Sequence, residues 1–275
     1  MGFDVAGSRP YRPGDDMDTI DWGASAKLSS ARASDEFVVR VHYADEAPCA
    51  VVICDHRPSM ALFEPPLPWL DKGEAMRVAS RLAALSVIRA RGLVGYLDLA
   101  EEGDEVWEQP RGRMEPWAAD QPRPFRAPDD SLTTAIWRLV EHRRAIPPGT
   151  FVFVLSDFLV PPDEGALTRA RQHRWDVVPV IIQDAVWERS FPDVAGVVLR
   201  LVDPGTRRSR LARLSRRDVE ERRAANEQRF AKLISGFHRL DLDPVVLSSS
   251  DAADVLDCFV AWSDQRRAFR GWRRG

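Results

Sequence analysis

At 275 residues the chain is long enough to bury a sizeable core, in one large domain or two small ones. It has 44% hydrophobic and 29% charged residues and a formal net charge of −3, a balance that argues against nucleic acid as a partner. No apolar run approaches the roughly 20 residues that span a bilayer, and the first ten residues lack the apolar core of a signal peptide. A protein with no transmembrane segment is therefore expected.

Apolar runs alternate with helical patterns along most of the chain. Strands rich in Val and Ile are predicted over residues 36–43, 50–54, 93–99, 151–155, 177–182, 197–202 and 245–247. Helices are predicted from near-helical apolar spacing over residues 72–91, 132–145, 163–171, 216–237 and 251–269. A loop rich in Pro, Trp and Arg is predicted for residues 101–130. This alternation predicts an α/β fold with a mainly parallel central sheet and helices on both faces.

The three cysteines, Cys49, Cys54 and Cys258, have no metal-ligand spacing. Two of them fall in an apolar predicted strand and the third in the last predicted helix, where reduced, buried thiols are the expected state. Reduced thiols and the missing signal peptide together predict a cytoplasmic location.

A dense motif lies near the start of the chain. Between residues 9 and 27 the sequence follows the pattern R-x-Y-x-x-G-D-D-x-R-x-I-D-W-x-x-S-A-R, departing from it at Asp18 and Lys27. The matching residues are Arg9, Tyr11, Gly14, Asp15, Asp16, Ile20, Asp21, Trp22, Ser25 and Ala26. This motif resembles the signature of the DUF58 family, whose members are built around a von Willebrand factor A-like (vWA) domain. Residues 203–207 resemble a second family segment, D-P-E-T-G, with Gly205 in place of Glu.

The resemblance implies a Rossmann-like vWA domain over residues 49–275, preceded by the signature segment and a strand over residues 1–48. The N-terminal extension is expected to pack on the sheet, so that both parts form one structural unit. Its acidic and aromatic cluster is a partner-docking surface, a brace that holds the segment on the sheet, or only a turn followed by a Trp buried for packing. The brace is favoured because the segment has aromatic and aliphatic anchors. The residues of this cluster are Asp15, Asp16, Asp21 and Trp22.

The resemblance also implies a metal-ion-dependent adhesion site at the carboxyl ends of the strands, where open α/β sheets bind ligands. In the vWA fold a D-x-S-x-S loop, a Thr and an Asp hold Mg²⁺, an ion that prefers a few hard oxygen ligands. Asp55 and Ser59 match the first loop, and Asp157 follows a later strand as the third-loop Asp. Asp130 falls where the family has Thr. The resemblance therefore makes Mg²⁺ a possible cofactor, bound at a degenerate site.

Arg57 stands where the metal loop has its middle Ser. A guanidinium cannot ligate a cation, and its positive charge opposes one at close range. It either pairs with Asp157 or Asp130 and takes the electrostatic place of the metal, or points out of the loop and leaves a weaker metal site. In the first case Arg57 is expected to bind a partner carboxylate directly. A simpler possibility is that Asp55 and Asp157 only cap helices or satisfy loop amides.

The resemblance implies a non-enzymatic interaction module that works with a MoxR-type AAA+ ATPase in the chaperone-like assembly or maturation of client proteins. Its docking site is expected on the strand-end face of the degenerate metal site, which carries Asp55, Arg57, Ser59, Asp130 and Asp157. The alternative is a Mg²⁺-dependent hydrolase or phosphatase that uses Asp55 and Asp157. It is weaker because no loop supplies both a nucleophile and a phosphate clamp. Nucleic-acid binding through the basic tail over residues 266–274 is the weakest possibility, because of the net charge.

Overall fold

The computed structural model describes residues 5–10, 25, 38–42, 47–63, 69–113, 117–203, 205–206 and 208–272. Two compact units divide the chain, Met1–Glu46 and Ala47–Gly275. In the first unit, strand β1 (Val5–Pro10) pairs antiparallel with strand β2 (Val38–His42). The predicted packing of the N-terminal extension on the sheet stays a prediction.

The second unit is built on a six-stranded sheet and a separate two-stranded ribbon. In chain order its strands are β3 (Cys49–Asp55), β4 (Leu93–Glu101), β5 (Asp104–Arg111), β6 (Phe151–Ser156), β7 (Asp176–Ile182), β8 (Val198–Val202), β9 (Ser209–Arg213) and β10 (Val245–Leu247). The sheet has the order β10-β7-β6-β3-β4-β5, and all its neighbours are parallel except β4 and β5. The predicted mainly parallel sheet is confirmed.

Strand β5 corrects the prediction that residues 101–130 form a loop. It lies at the edge of the sheet and pairs with β4 alone, so most of its side chains remain partly exposed. Half-exposed edge strands tolerate Asp, Glu and Pro, which dilute the apolar pattern that marks a buried strand.

Helices cover both faces of the sheet, as predicted. They are α1 (Lys72–Arg89), α2 (Ser131–Glu141), α3 (Glu164–Gln172), α4 (Arg216–Arg239) and α5 (Ala252–Trp272). One core cluster joins the sheet to α1 and α5, and a second joins it to α2, α3 and α4. Within the described part of the chain, no helix is long and apolar enough to cross a membrane.

Strand β3 is the centre of this arrangement, because it is buried at every position. Its side chains alternate between the faces, with Val52 in the core beneath α1 and with Val51 and Ile53 in the opposite core. Burying side chains of this size stabilises a fold by about 1.5–3 kcal/mol each. Two-sided burial therefore fixes the register of β3 and the position of the loop that follows it.

The carboxyl ends of β3 and β6 lie side by side at the point where the strand order reverses. From β3 the order runs through β4 to β5, whereas from β6 it runs through β7 to β10. Loops that leave two adjacent parallel strands toward opposite sides open a crevice between them, and open α/β sheets bind ligands there. This switch point carries the candidate site.

Candidate functional site

The two strand ends bring buried acidic groups together. Asp55 is the last residue of β3 and is 1% exposed, and Asp157 follows β6 and is fully buried. Between them, the hydroxyl of Ser156 donates a hydrogen bond to Oδ2 of Asp55 at 2.7 Å. The same hydroxyl accepts the backbone N–H of Phe158 at 2.8 Å. Two buried carboxylates require compensation, because burial strongly disfavours an unpaired charge.

Arg57 compensates Asp55. Its Nε lies 3.0 and 2.9 Å from the two carboxylate oxygens of Asp55, and its Nη2 donates to Oδ2 at 2.7 Å. The rest of the guanidinium donates to the carbonyl oxygen of Val160 at 2.7 Å, to that of Asp129 at 3.4 Å and to the hydroxyl of Ser156 at 3.0 Å. Arg57 is 2% exposed, so its donors are used inside the protein.

Lys72 compensates Asp157. It is the first residue of α1, is 3% exposed, and donates from Nζ to Oδ2 of Asp157 at 2.9 Å and to Oε1 of Glu188 at 2.7 Å. Burial lowers the pKa of Lys72, but the two carboxylates outweigh burial and raise the pKa above its ordinary 10.5. Burial raises the pKa of Asp157, but Lys72, Ser59 and a backbone N–H outweigh it and hold the pKa below 3.8. Both groups are therefore charged at neutral pH.

The residues present do not fit Mg²⁺ as the vWA fold holds it. Mg²⁺ needs oxygen ligands at about 2.0–2.1 Å in a near-octahedral arrangement. Positively charged side chains close to the site oppose its binding. Here a guanidinium and an ammonium already take the oxygens of Asp55 and Asp157. Asp130 lies exposed before α2, and its side chain does not cap that helix. In the described part of the chain, no group of three or more His, Cys, Asp or Glu residues could hold a metal ion.

The closest partner of Arg57 is Asp55, which was not predicted, and one of the two predicted partners, Asp157, also lies within ion-pair distance. The guanidinium forms its short contacts with Asp55, and it lies 3.7 Å from Oδ1 of Asp157. The reason is local, since the backbone N–H of Arg57 also donates to Oδ1 of Asp55 at 2.9 Å and so places the side chain beside that carboxylate. A guanidinium this deeply buried holds the loop together and does not present itself to a partner.

Asp55 and Asp157 agree with part of the simpler possibility, that they only satisfy loop amides or cap helices. Each accepts a nearby loop amide, Asp55 from Arg57 and Asp157 from Leu159 at 3.1 Å. The helix caps are other residues, since the side chain of Asp71 caps α1 and that of Asp163 caps α3. The four N-terminal candidates lie outside the described residues. They are Asp15, Asp16, Asp21 and Trp22.

A third buried acid lies beside this site and was not predicted. Asp98 of β4 is fully buried and accepts hydrogen bonds from the hydroxyl of Tyr96 at 2.7 Å and from Nη2 of Arg123 at 2.7 Å. Nε2 of His56 lies 3.2 Å from the same carboxylate. Burial raises the pKa of Asp98, but these donors outweigh it and hold the pKa below 3.8. Asp98 therefore links His56, in the loop after β3, to Arg123, which follows the β4–β5 hairpin in the chain.

We expect Asp98→Asn to lower the free energy of unfolding by about 3 kcal/mol at neutral pH, since a charged acceptor with several donors is lost. The folded-state pKa of Asp98 is depressed, so its stabilisation is complete above pH 3.8 and is lost as the pH falls through the lower folded-state value. Urea unfolding from pH 7 down to pH 3 measures this. The gap between wild type and variant narrows in acid, and a constant gap would contradict the assignment.

A solved structure and a protein family are similar to the chain. A crystal structure of the conserved hypothetical protein BatB from Bacteroides thetaiotaomicron is similar at 15% identity and a TM-score of 0.38, over 79% of this chain and 99% of that chain. At this TM-score the likeness adds nothing to the fold already described. No curated protein matches the chain. The family described as "Protein of unknown function DUF58" matches residues 7–232, and the chain belongs to that family.

Proposed function

We propose that this protein is a non-enzymatic vWA-like interaction module, an adaptor that works with a MoxR-type AAA+ ATPase on client proteins. The proposal places docking on the strand-end face. One observation supports it above the others: the carboxylates at the switch point are neutralised by the protein's own Arg57 and Lys72. A position that carries a metal or a nucleophile in an enzyme is here used to stabilise loops.

The stabilised loops define the proposed docking surface. Arg57 donates to the carbonyl oxygens of Asp129 and Val160, so one buried side chain fixes two loops on either side of it. The outer atoms of these loops face solvent, since Val160 is 44% exposed and Asp129 and Asp130 are exposed. We name Asp129, Asp130 and Val160 the strand-end surface. It combines an apolar anchor with two acids, and Arg57 is its positioning residue.

Affinity purification of the tagged protein from its own host, with ATP and Mg²⁺ present, tests this function. The test variant is Asp129→Arg/Asp130→Arg/Val160→Asp, which changes exposed side chains and leaves the buried ion pairs in place. A matched control is Arg144→Glu, an exposed change in the connection between α2 and β6. We expect an AAA+ ATPase to be recovered with wild type and the control, and at least tenfold less with the test variant.

The other outcomes decide between parts of the proposal. Equal recovery with the test variant would keep the partnership and remove the strand-end surface. In that case the N-terminal candidates are the next to change, namely Asp15, Asp16, Asp21 and Trp22. No ATPase with wild type would overturn the adaptor function.

The hydrolase alternative requires Asp55 to reach a substrate. Asp55 is 1% exposed, and its oxygens accept from Arg57 and Ser156. An assay with generic phosphoesters and Mg²⁺ tests this alternative, with Asp55→Ala as the control. Turnover by wild type that disappears in Asp55→Ala would favour the enzyme over the adaptor.

A further inference from the structure

The ribbon of β8 and β9 has one covered face and one bare face. The strands pair antiparallel, from Val198 opposite Arg213 to Val202 opposite Ser209. Because side chains alternate across a strand, Leu199 and Ala212 share one face, and both pack against the small core of Phe191, Leu214 and Val219. The side chains of the opposite face are exposed. They are Val198, Arg200, Val202, Ser209, Leu211 and Arg213.

The bare face is apolar as well as basic. Leu211 is 74% exposed, Val198 57% and Val202 42%. Single exposed apolar residues are ordinary on a protein surface, but these three share one face of ten residues of ribbon. On that face Leu211 lies directly opposite Arg200, and Val198 directly opposite Arg213. The pairing places guanidinium and aliphatic groups side by side.

The surrounding segment is strongly basic in a chain whose net charge is −3. Between residues 197 and 217 the sequence has one acidic residue, Asp203, and seven arginines, namely Arg200, Arg207, Arg208, Arg210, Arg213, Arg216 and Arg217. Arg216 and Arg217 pair with Glu220 and Glu221 along α4. Arg210 lies opposite Leu201, on the other face of the ribbon. Among the described residues, the bare-face residues Arg200 and Arg213 form no ion pair, although Nε of Arg213 donates to the carbonyl oxygen of Gly196 at 3.2 Å. The ribbon therefore presents guanidinium groups that an anionic partner could bind.

The size of the bare face favours a lipid surface over a protein. Strands of five residues are about 17 Å long, and two of them are about 10 Å wide, which gives a face of roughly 170 Å². A stable protein interface needs about 800 Å² on each side. A duplex would bind the arginines through its phosphates but would gain little from the exposed leucine and valines. A headgroup layer offers phosphates to the arginines and an apolar boundary to the aliphatic groups.

We propose that the β8–β9 ribbon is a binding site for anionic lipid headgroups, which holds the α/β unit at a membrane surface without spanning it. Arginines of the ribbon contact lipid phosphates, and Leu211, Val198 and Val202 enter the boundary between headgroups and acyl chains. The proposal is independent of the adaptor function, because the strand-end surface and the ribbon share no residue.

Sedimentation of the full chain with phosphatidylcholine vesicles, with and without phosphatidylserine, tests this site. We expect binding to the vesicles that contain phosphatidylserine, and a decrease as salt rises. Each arginine near an anionic leaflet adds about fivefold to binding, so Arg200→Glu/Arg213→Glu is expected to weaken it by at least about 25-fold. The matched control Arg144→Glu/Arg169→Glu makes the same charge change at exposed positions outside the ribbon and should bind within about twofold of wild type.

The apolar contribution separates lipid from nucleic acid. Leu211→Ser is expected to weaken vesicle binding several-fold at unchanged charge, and thermal unfolding shows that the variants remain folded. Absent or equal binding to both kinds of vesicle would overturn the proposal, as would equal loss in the control variant. Binding to a DNA duplex that does not depend on Leu211, without vesicle binding, would make the ribbon a nucleic-acid site.

Discussion

Replacing Arg57 with Met is expected to lower the free energy of unfolding by about 4 kcal/mol. The change leaves Asp55 buried without its bidentate partner, and breaking one side of a buried pair costs about 3–5 kcal/mol. It also removes the hydrogen-bond donor that lies 2.7 Å from the carbonyl oxygen of Val160 in the wild type. Urea unfolding followed by circular dichroism gives this free energy directly.

A double-mutant cycle separates the ion pair from the lost packing of the side chain. In Asp55→Asn/Arg57→Met no buried charge is left alone, so the double variant should be more stable than the sum of the single changes predicts. The exposed change Arg144→Met is the matched control and should stay within about 0.5 kcal/mol of wild type. Additive effects in the cycle would mean that Arg57 and Asp55 do not act as a pair.

Replacing Lys72 with Met is expected to cost about 3 kcal/mol at neutral pH, because Asp157 is fully buried and loses its closest cation. The pKa of Lys72 is raised, so its stabilisation is present below the ordinary 10.5 and is lost as the pH rises through the higher folded-state value. The difference between wild type and Lys72→Met should therefore shrink above pH 10.5. Urea unfolding at neutral and alkaline pH measures both effects.

Glu188 supplies the control for Lys72. Its side chain is 17% exposed, against full burial for Asp157, so water can solvate part of what Glu188→Gln leaves behind. We expect this change to cost about 1 kcal/mol. A larger loss of unfolding free energy from Glu188→Gln than from Lys72→Met would mean that the important partner of Lys72 is Glu188, outside the strand-end site, and not Asp157.

The mainly parallel α/β fold could be predicted from the sequence because the central strands are apolar along almost their whole length. Strand β3 is apolar up to Asp55, and only burial on both faces accommodates such a run. The meeting of Asp55 and Asp157 follows from the same reasoning, since both come at the carboxyl ends of parallel strands. The positive charge of Arg57 alone predicts that it disfavours a bound metal.

The remainder of the site depends on packing that no short pattern records. Lys72 is the first residue of α1, and the sequence around it is typical of an exposed helix start. The side chain of Lys72 is buried because α1 lies across the sheet beside Glu188. Asp98 sits in an apolar strand and is tolerated only because Tyr96 and Arg123, the latter from a distant loop, donate to it. Partners 85 residues apart, as Lys72 and Asp157 are, become visible only in the folded chain.

We infer that Arg57 and Lys72 take the electrostatic place of a metal ion at the strand ends. Thermal unfolding of wild type and Arg57→Ser, in millimolar Mg²⁺ and in a chelator, tests it most directly, because a ligand that binds the folded state raises the Tm. We expect an unchanged Tm for wild type, and a rise with Mg²⁺ for Arg57→Ser that Arg57→Met does not show. A rise of the same size in wild type would contradict it, because the site would then hold a metal despite its two cations.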